Sequence, residues 1–525
     1  MTEQRKNNYE DLIKQMMIDG IVDMTDEEKK LFNESSIEDQ CSNILYMIAK
    51  NNSNKNLLFK RIQDEVDKYK EIKGYRMSSS AHIEVIIEML REYVDFGDVE
   101  VRSFGEIMTP KDTVDEMLNQ LPKEVWSNPN LTWLDSCNGA GMFICSIVKN
   151  LMEGLSEVIP DEELRYKHIV ENQIYVCEIQ AVNMFLYIYL FDLRHKYELK
   201  FYYGSYFDKG FDERMAEYGI TKFDIIVGNP PYQEMDGGAK ASAKPFYNRF
   251  VEKSLKICDK LLMITPSRWF AGGKGLAKYR TMMMNRKDIK LINHFDNACD
   301  IFGKNVEIKG GVSYFLIDKS YQGETSLNGN NIELNKFDIV PTNIKSISLI
   351  KKFEKVSGLN TLTDNCNLFG VDNRGENGNN LKSEKTSETE IKCYVSKPKG
   401  FEKWIDIKHV KNINKLKYYR VVTPRAATKG GEGFGNIFIS KPNECISDTY
   451  LSMPVNSELE ANSLMSYLKT KFANKMLSVR KISQDIKPDT LKWIPIVPLD
   501  RKWTDEQLYT YFDLTNDEIK LIEKK

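Results

Sequence analysis

Apolar positions fall into three regimes along the 525 residues. Over residues 1–98 they recur every three or four positions, at 9–21, 37–49, 57–69 and 81–93, which predicts amphipathic helices. Ser78-Ser79-Ser80 offers a cap for the last of them. This region reads as a helical cap or docking element. Over 99–325 the pattern changes to short continuous apolar runs separated by helical spacing. Strands are predicted at 132–135, 173–178, 198–203, 223–227 and 260–265, with helices from Gly141 and through Leu190. A further strand at 312–317 reads as a late edge or hairpin strand. Such alternation predicts a mostly parallel sheet covered by helices. Residues 321–338 are polar and Asn/Gly-rich, so a boundary is placed near 325/326. The region 326–525 mixes short strands and helices, with a soft stretch at 373–390 and one or two amphipathic helices after Trp503. The expected architecture is thus an α/β sheet domain between a helical N-terminal region and an α+β C-terminal domain.

Length and composition bound the class. A chain this long exceeds one compact core. Hydrophobic residues at 41% and charged residues at 29% fit a globular protein. The 9 cysteines show no Cys-x-x-Cys spacing and there are only 5 histidines, so neither a metal site nor a disulfide framework is expected, and a reducing cytoplasm is. No apolar run approaches a membrane span, and Met1-Thr2-Glu3-Gln4-Arg5 does not open as a signal peptide. The formal net charge of -2 neither favours nor excludes nucleic acid, because a local positive cleft suffices.

Two strand ends carry the chemistry. Leu134-Asp135-Ser136-Cys137-Asn138-Gly139-Ala140-Gly141 is a strand, a glycine turn and a helix start. It is neither Gly-x-Gly-x-x-Gly nor a phosphate loop. Glu178 ends the next strand, where a carboxylate can accept both hydroxyls of a ribose. Together they suggest a nucleoside-bearing cofactor without a pyrophosphate. About ninety residues after the glycine turn, Phe223-Asp224-Ile225-Ile226-Val227-Gly228 runs into Asn229-Pro230-Pro231-Tyr232. That strand end offers a carboxamide, a carbonyl followed by an imide nitrogen that carries no proton, and an aromatic ring. The set suits a planar nitrogen nucleophile better than an alcohol or a hydride.

On these motifs the chain resembles the gamma-order N6-adenine DNA methyltransferases, restriction–modification methylases with a C-terminal target-recognition domain. The resemblance implies a Rossmann-like sheet that binds S-adenosyl-L-methionine. It implies that Asp135, Gly139 and Gly141 surround the methionine portion, with Cys137 packing in the same turn, and that Glu178 takes the ribose. It identifies Phe104-Gly105-Glu106-Ile107-Met108-Thr109-Pro110 as the segment closing over the cofactor, with Thr109 at the amino-acid end. Where the family carries an acid against the cofactor adenine, this chain has Ser205, with Asp208 near enough to reach back. Asn229 would also border the cofactor. In the transfer itself, Asn229 and the Pro230 carbonyl would each accept one N–H of the target amino group, Pro231 would complete the turn, and Tyr232 would stack on a base turned out of the duplex. The following loop, 233–243, contains Lys240 and precedes Lys244, and reads as a cover or DNA contact. Ser267, Arg268 and Trp269 fall where the family shapes its base pocket, and Phe295 and Phe302 are candidates for its far wall.

The expected function is site-specific methylation of adenine in duplex DNA within a restriction–modification system. RNA adenine methylation and glutamine-amide methylation share the same chemistry and stay open as alternatives. The expected partners are double-stranded DNA and a separate restriction endonuclease or specificity subunit, with no membrane. Arg374, Lys397, Lys399, Arg420, Arg425, Lys429, Arg480 and Lys481 are candidate DNA contacts in the C-terminal domain.

Overall fold

The computed structural model describes residues 24–35, 108–192, 196–234, 244–272, 275–303, 306–341, 346–353, 356–372, 380–396, 401–426, 433–481 and 485–523, with isolated positions before 24. Most of the predicted N-terminal helices, Phe104 to Ile107 of the closing segment, the loop 235–243, and Arg374, Lys397, Lys399 and Lys429 lie outside the described residues. A helix, Asp26–Glu34, falls between two of the predicted ones. The chain divides into two compact units, residues 1–269 with 273–338, and 270–272 with 339–525.

The first unit is built on one nine-stranded sheet. In chain order its strands are β1 (Trp133–Asp135), β2 (Ile174–Glu178), β3 (Lys200–Tyr203), β4 (Phe223–Gly228), β5 (Cys258–Pro266), β6 (Ile289–Phe295), β7 (Val312–Asp318), β8 (Thr325–Leu327) and β9 (Asn330–Ile332). Their spatial order is β3-β2-β1-β4-β5-β7-β6-β8-β9. β1 pairs parallel with both β2 and β4, and the chain order reverses there. In open α/β sheets that reversal opens a crevice at the carboxyl ends of the strands. β1 and β2 are buried at every position, as expected of parallel strands covered on both faces. Asp224 fixes the start of this central trio by accepting hydrogen bonds from Thr132 N at 2.8 Å and Thr132 Oγ1 at 2.9 Å.

Two expectations change. The strand at 312–317 is not an edge: β7 lies between β5 and β6 and runs antiparallel to both. β6 has no clean apolar pattern because Asn293 and His294 interrupt it. Their polar groups are met inside the fold, Asn293 Nδ2 by the Tyr314 hydroxyl at 2.5 Å and His294 Nδ1 by Ser267 Oγ at 2.8 Å. The polar stretch at 321–338, where the boundary is expected, carries structure of its own. It contains the β8–β9 hairpin, turned at Asn328 (φ 45°) and Gly329 (φ 80°), the Asn-Gly pair favoured in tight hairpins. The division between units falls after it, at Asp338/Ile339.

The second unit holds two three-stranded sheets. One contains β10 (Glu390–Tyr394), β11 (Glu402–Asp406) and β14 (Glu444–Ile446). The other contains β12 (Tyr419–Pro424), β13 (Phe438–Ser440) and β15 (Tyr450–Val455). Helices Glu458–Leu468 and Lys471–Arg480 follow, and Asp505–Tyr511 and Asn516–Glu523 form the amphipathic tail. Two of the candidate DNA contacts are interior. Arg420 is fully buried, donating to Asp364 Oδ2 at 3.3 Å, Tyr418 O at 3.2 Å and Lys415 O at 2.5 Å. Arg480 is buried, donates to Asp489 O at 2.5 Å and lies 4.8 Å over the Trp493 ring. Arginines are mostly exposed; here guanidinium donors of both are met inside the unit. Arg425 is partly exposed and donates to Asp448 O at 3.0 Å, and Lys481 is partly exposed. Among the described residues no helix is long and apolar enough to cross a membrane.

Candidate active site

A cavity of about 280 Å³ opens at the carboxyl ends of β1–β4. The turn after β1 supplies Ser136 to Ala140, with Met142 and Phe143 from the helix that follows. Gly139 (φ 52°) and Gly141 (φ 91°) both take left-handed conformations, and Gly141 caps the helix Met142–Gly154. A side chain at either would strain the backbone. Gly141 shapes the turn and is not itself on the cavity wall.

Glu178 is buried at the end of β2 and lines the cavity. Its Oε2 accepts from Gly139 N at 2.8 Å and its Oε1 from Gln180 N at 2.7 Å. The carboxylate therefore binds the glycine turn to the turn after β2. Ile179, next in sequence, is 63% exposed at the cavity. The turn after β3 contributes Ser205 and Tyr206. Asp208 does not reach into the cavity: its Oδ2 accepts from Ser205 N at 3.0 Å, while Ser205 Oγ accepts from Phe207 N at 3.2 Å.

Asp135 ends β1 at the start of the glycine turn. It is fully buried behind the turn and does not line the cavity. Its Oδ1 accepts from Cys137 N at 3.1 Å, and its Oδ2 is buried without a hydrogen-bond partner. Burial raises its pKa to about 7. Cys137 does line the cavity; burial and the neighbouring Asp135 push its thiol well above the ordinary range, so it is protonated at neutral pH.

β4 delivers the second motif. Gly228 (φ 152°) passes so close to the first turn that a Cβ would sit 3.0 Å from Cys137 Sγ and 3.2 Å from Asp135 Oδ1. This close approach brings Asn229, Pro230, Pro231 and Tyr232 onto the wall of the same cavity. Asn229 Nδ2 donates to Thr109 Oγ1 at 3.1 Å, across 120 positions of sequence. Tyr232 is half-buried; burial raises its hydroxyl far above the phenol range, partly offset by the neighbouring Asn229 side chain. The loop after it is closed at its base, where Phe246 N donates to Tyr232 O at 3.1 Å and Glu234 N to Lys244 O at 3.0 Å.

The cavity thus gathers Thr109, Cys137, Gly139, Glu178, Ser205, Asn229, Pro230, Pro231 and Tyr232 from the expected set. Phe295 and Phe302 do not line it. Phe302 is core, and Phe295 packs 6.0 Å from the Tyr314 ring. Phe246 and Phe250 do line it, with Phe250 stacked on Tyr206 at 5.5 Å. Their four-residue spacing at the start of a helix is the sequence signal that could have found them.

A parallel sheet entered by an antiparallel β7, with a glycine turn after β1, an acid after β2 and Asn-Pro-Pro-Tyr after β4, defines the methyltransferase class. A family model described as Eco57I restriction-modification methylase matches residues 163–302. An uncharacterized adenine-specific methylase from Mycoplasma pneumoniae is 30% identical, over 42% of this chain and 69% of that protein. The chain belongs to this family of adenine-specific methylases. Among solved structures, a modification subunit of a putative type I restriction enzyme from Vibrio vulnificus is 17% identical with a TM-score of 0.36, covering 51% of this chain and 55% of that one. A nuclease-deletion mutant of the type ISP enzyme LlaGI, in complex with a DNA substrate mimic, is 13% identical with a TM-score of 0.46, covering 89% of this chain and 60% of that one. This chain therefore spans between half and two thirds of the length of these two structures.

Proposed function

We infer that this chain transfers a methyl group from S-adenosyl-L-methionine to the exocyclic amino nitrogen of adenine in duplex DNA, in a restriction–modification setting. The observation that carries the reading is the convergence of Asn-Pro-Pro-Tyr with the glycine turn and Glu178 on one cavity. The residues present fit the cofactor. Asn138 Oδ1 is a buried acceptor without a partner on the cavity wall, suited to an ammonium or hydroxyl donor. Glu178 presents a carboxylate on the cavity wall where ribose hydroxyls can donate, and Ile179 and Phe250 offer apolar surface for a purine, which Ser205 can meet with a hydrogen bond.

The bound cofactor supplies an electrophilic sulfonium methyl group. An adenine amino group is a poor nucleophile because its lone pair is delocalised into the ring. Asn229 Oδ1 and the Pro230 carbonyl can each accept one amino proton, which favours a tetrahedral nitrogen with its lone pair directed at the methyl. Tyr232 would hold the extruded base by stacking. Positioning and fixed dipoles would then supply most of the rate. The high pKa of the Cys137 thiol fits a route without a cysteine nucleophile. The free state of all eight described cysteines fits a reducing cytoplasm.

The test is transfer from labelled S-adenosylmethionine to duplex DNA, total RNA and a protein extract in parallel. Label in DNA supports the reading. Label confined to RNA or protein moves the substrate class, and the absence of label from every arm counts against the activity.

A further inference from the structure

The reaction proposed above makes a demand on Asn229 that its own chemistry does not meet. A carboxamide has an acceptor end and a donor end of nearly the same shape. Only one orientation presents Oδ1 to the incoming amino group. In the other, Nδ2 faces it donor to donor, and both the hydrogen bond and the pull on the nitrogen lone pair are lost. Something must therefore hold the amide end.

We propose that Thr109 is the positioning residue that sets the orientation of the Asn229 carboxamide, a role that rests on the methyl-transfer reading. Its Oγ1 lies 3.1 Å from Asn229 Nδ2 and accepts from it, which turns Oδ1 the other way. Thr109 is only 6% exposed, so little water is available to replace it.

The position of this hydroxyl is itself fixed. Pro110 follows directly, and its carbonyl accepts from Val114 N at 3.0 Å to start the helix Lys111–Leu118. That helix buries Val114, Met117 and Leu118. It is tied to the sheet and to its neighbours at three points. Ser146 Oγ donates to Asp115 Oδ1 at 3.0 Å, the Tyr314 hydroxyl to Glu116 Oε1 at 2.6 Å, and Thr113 Oγ1 to Ile301 O at 3.4 Å. Tyr314 sits on β7, so the segment carrying Thr109 is referenced to the same sheet that carries Asn229 on β4. From the other side Gly228 locks Asn229 against the first turn. Two rigid anchors thus meet at the Thr109–Asn229 hydrogen bond.

The experiment compares Thr109→Val, which keeps the shape and removes the acceptor, with Thr109→Ser, which keeps the acceptor. Three quantities are read: kcat on duplex DNA at saturating cofactor, the dissociation constant of S-adenosylhomocysteine by calorimetry, and the thermal midpoint. Thr109→Val is expected to lose about 10- to 100-fold in kcat at saturating cofactor, with Thr109→Ser restoring most of the rate. If Thr109→Val keeps the wild-type kcat, the proposal is overturned. A loss confined to cofactor affinity, with kcat intact at saturation, also overturns it and leaves Thr109 as a cofactor contact alone. If the wild-type protein transfers no methyl group to DNA, the activity and this inference fall together. Full activity of Thr109→Val beside an active wild type counts against the inference only.

Discussion

The buried carboxyl of Asp135 makes a quantitative prediction about the base of the site. Its pKa moves from 3.8 to about 7 because burial disfavours the charge. Between these values the native state holds a proton that the unfolded chain has released, so stability falls as pH rises through this window and the full cost is present above about pH 7. At about 1.4 kcal/mol per unit, the shift corresponds to about 4 kcal/mol. Asp135→Asn retains an oxygen to accept from Cys137 N and cannot ionise. It places an amide where Oδ2 has no partner, at a roughly constant cost of about 1–3 kcal/mol. That constant cancels when the variant is compared with wild type at two pH values. The stability of Asp135→Asn relative to wild type should therefore rise by about 3 kcal/mol between pH 5 and pH 8. The assay is thermal unfolding of both proteins across this range. An increase in the midpoint difference on the order of 5 °C toward pH 8 is expected. An offset independent of pH would show that Asp135 does not hold its proton and would refute the reasoning.

Three further outcomes follow from the same geometry. Asn229→Ala should lower kcat by about a thousandfold or more while S-adenosylhomocysteine affinity stays within about threefold; a parallel loss in both would remove Asn229 from its assigned role. Glu178→Ala frees Gly139 N and Gln180 N and removes the ribose acceptor, so cofactor affinity by calorimetry should fall at least about tenfold; unchanged affinity would contradict the placement. Arg420→Ala strips the charge partner from buried Asp364, leaving its Oδ2 the hydrogen bond from Ser452 Oγ, and denaturant unfolding of the second unit should lose about 3–5 kcal/mol. A variant as stable as wild type but weakened on DNA would return Arg420 to the DNA surface.

The catalytic half of the fold was legible because parallel central strands are buried on both faces and read as uninterrupted apolar runs. Ile174 to Cys177 and Ile225 to Val227 are examples, each ending in a residue whose chemistry is conspicuous. β6 was not legible, since Asn293 and His294 look like surface positions until Tyr314 and Ser267 are brought beside them. The placement of β7 was hidden for a related reason: strand order is a property of pairing, and an apolar run of this kind fits an interior or an edge position. The β8–β9 hairpin carried its signal in Asn328-Gly329, outweighed by the polarity around it. Asp135 and Gly141 were legible as parts of the turn; that neither is on the cavity wall was not. The Thr109–Asn229 bond joins residues 120 positions apart, and no local pattern encodes it.

The most direct test of the account is mass analysis of nucleosides from duplex DNA treated with the wild-type protein and S-adenosylmethionine, with Asn229→Ala as control. The account predicts N6-methyldeoxyadenosine from the wild type and none from the variant. A methyl group on cytosine, at N4 or C5, or equal modification by the variant, would contradict it.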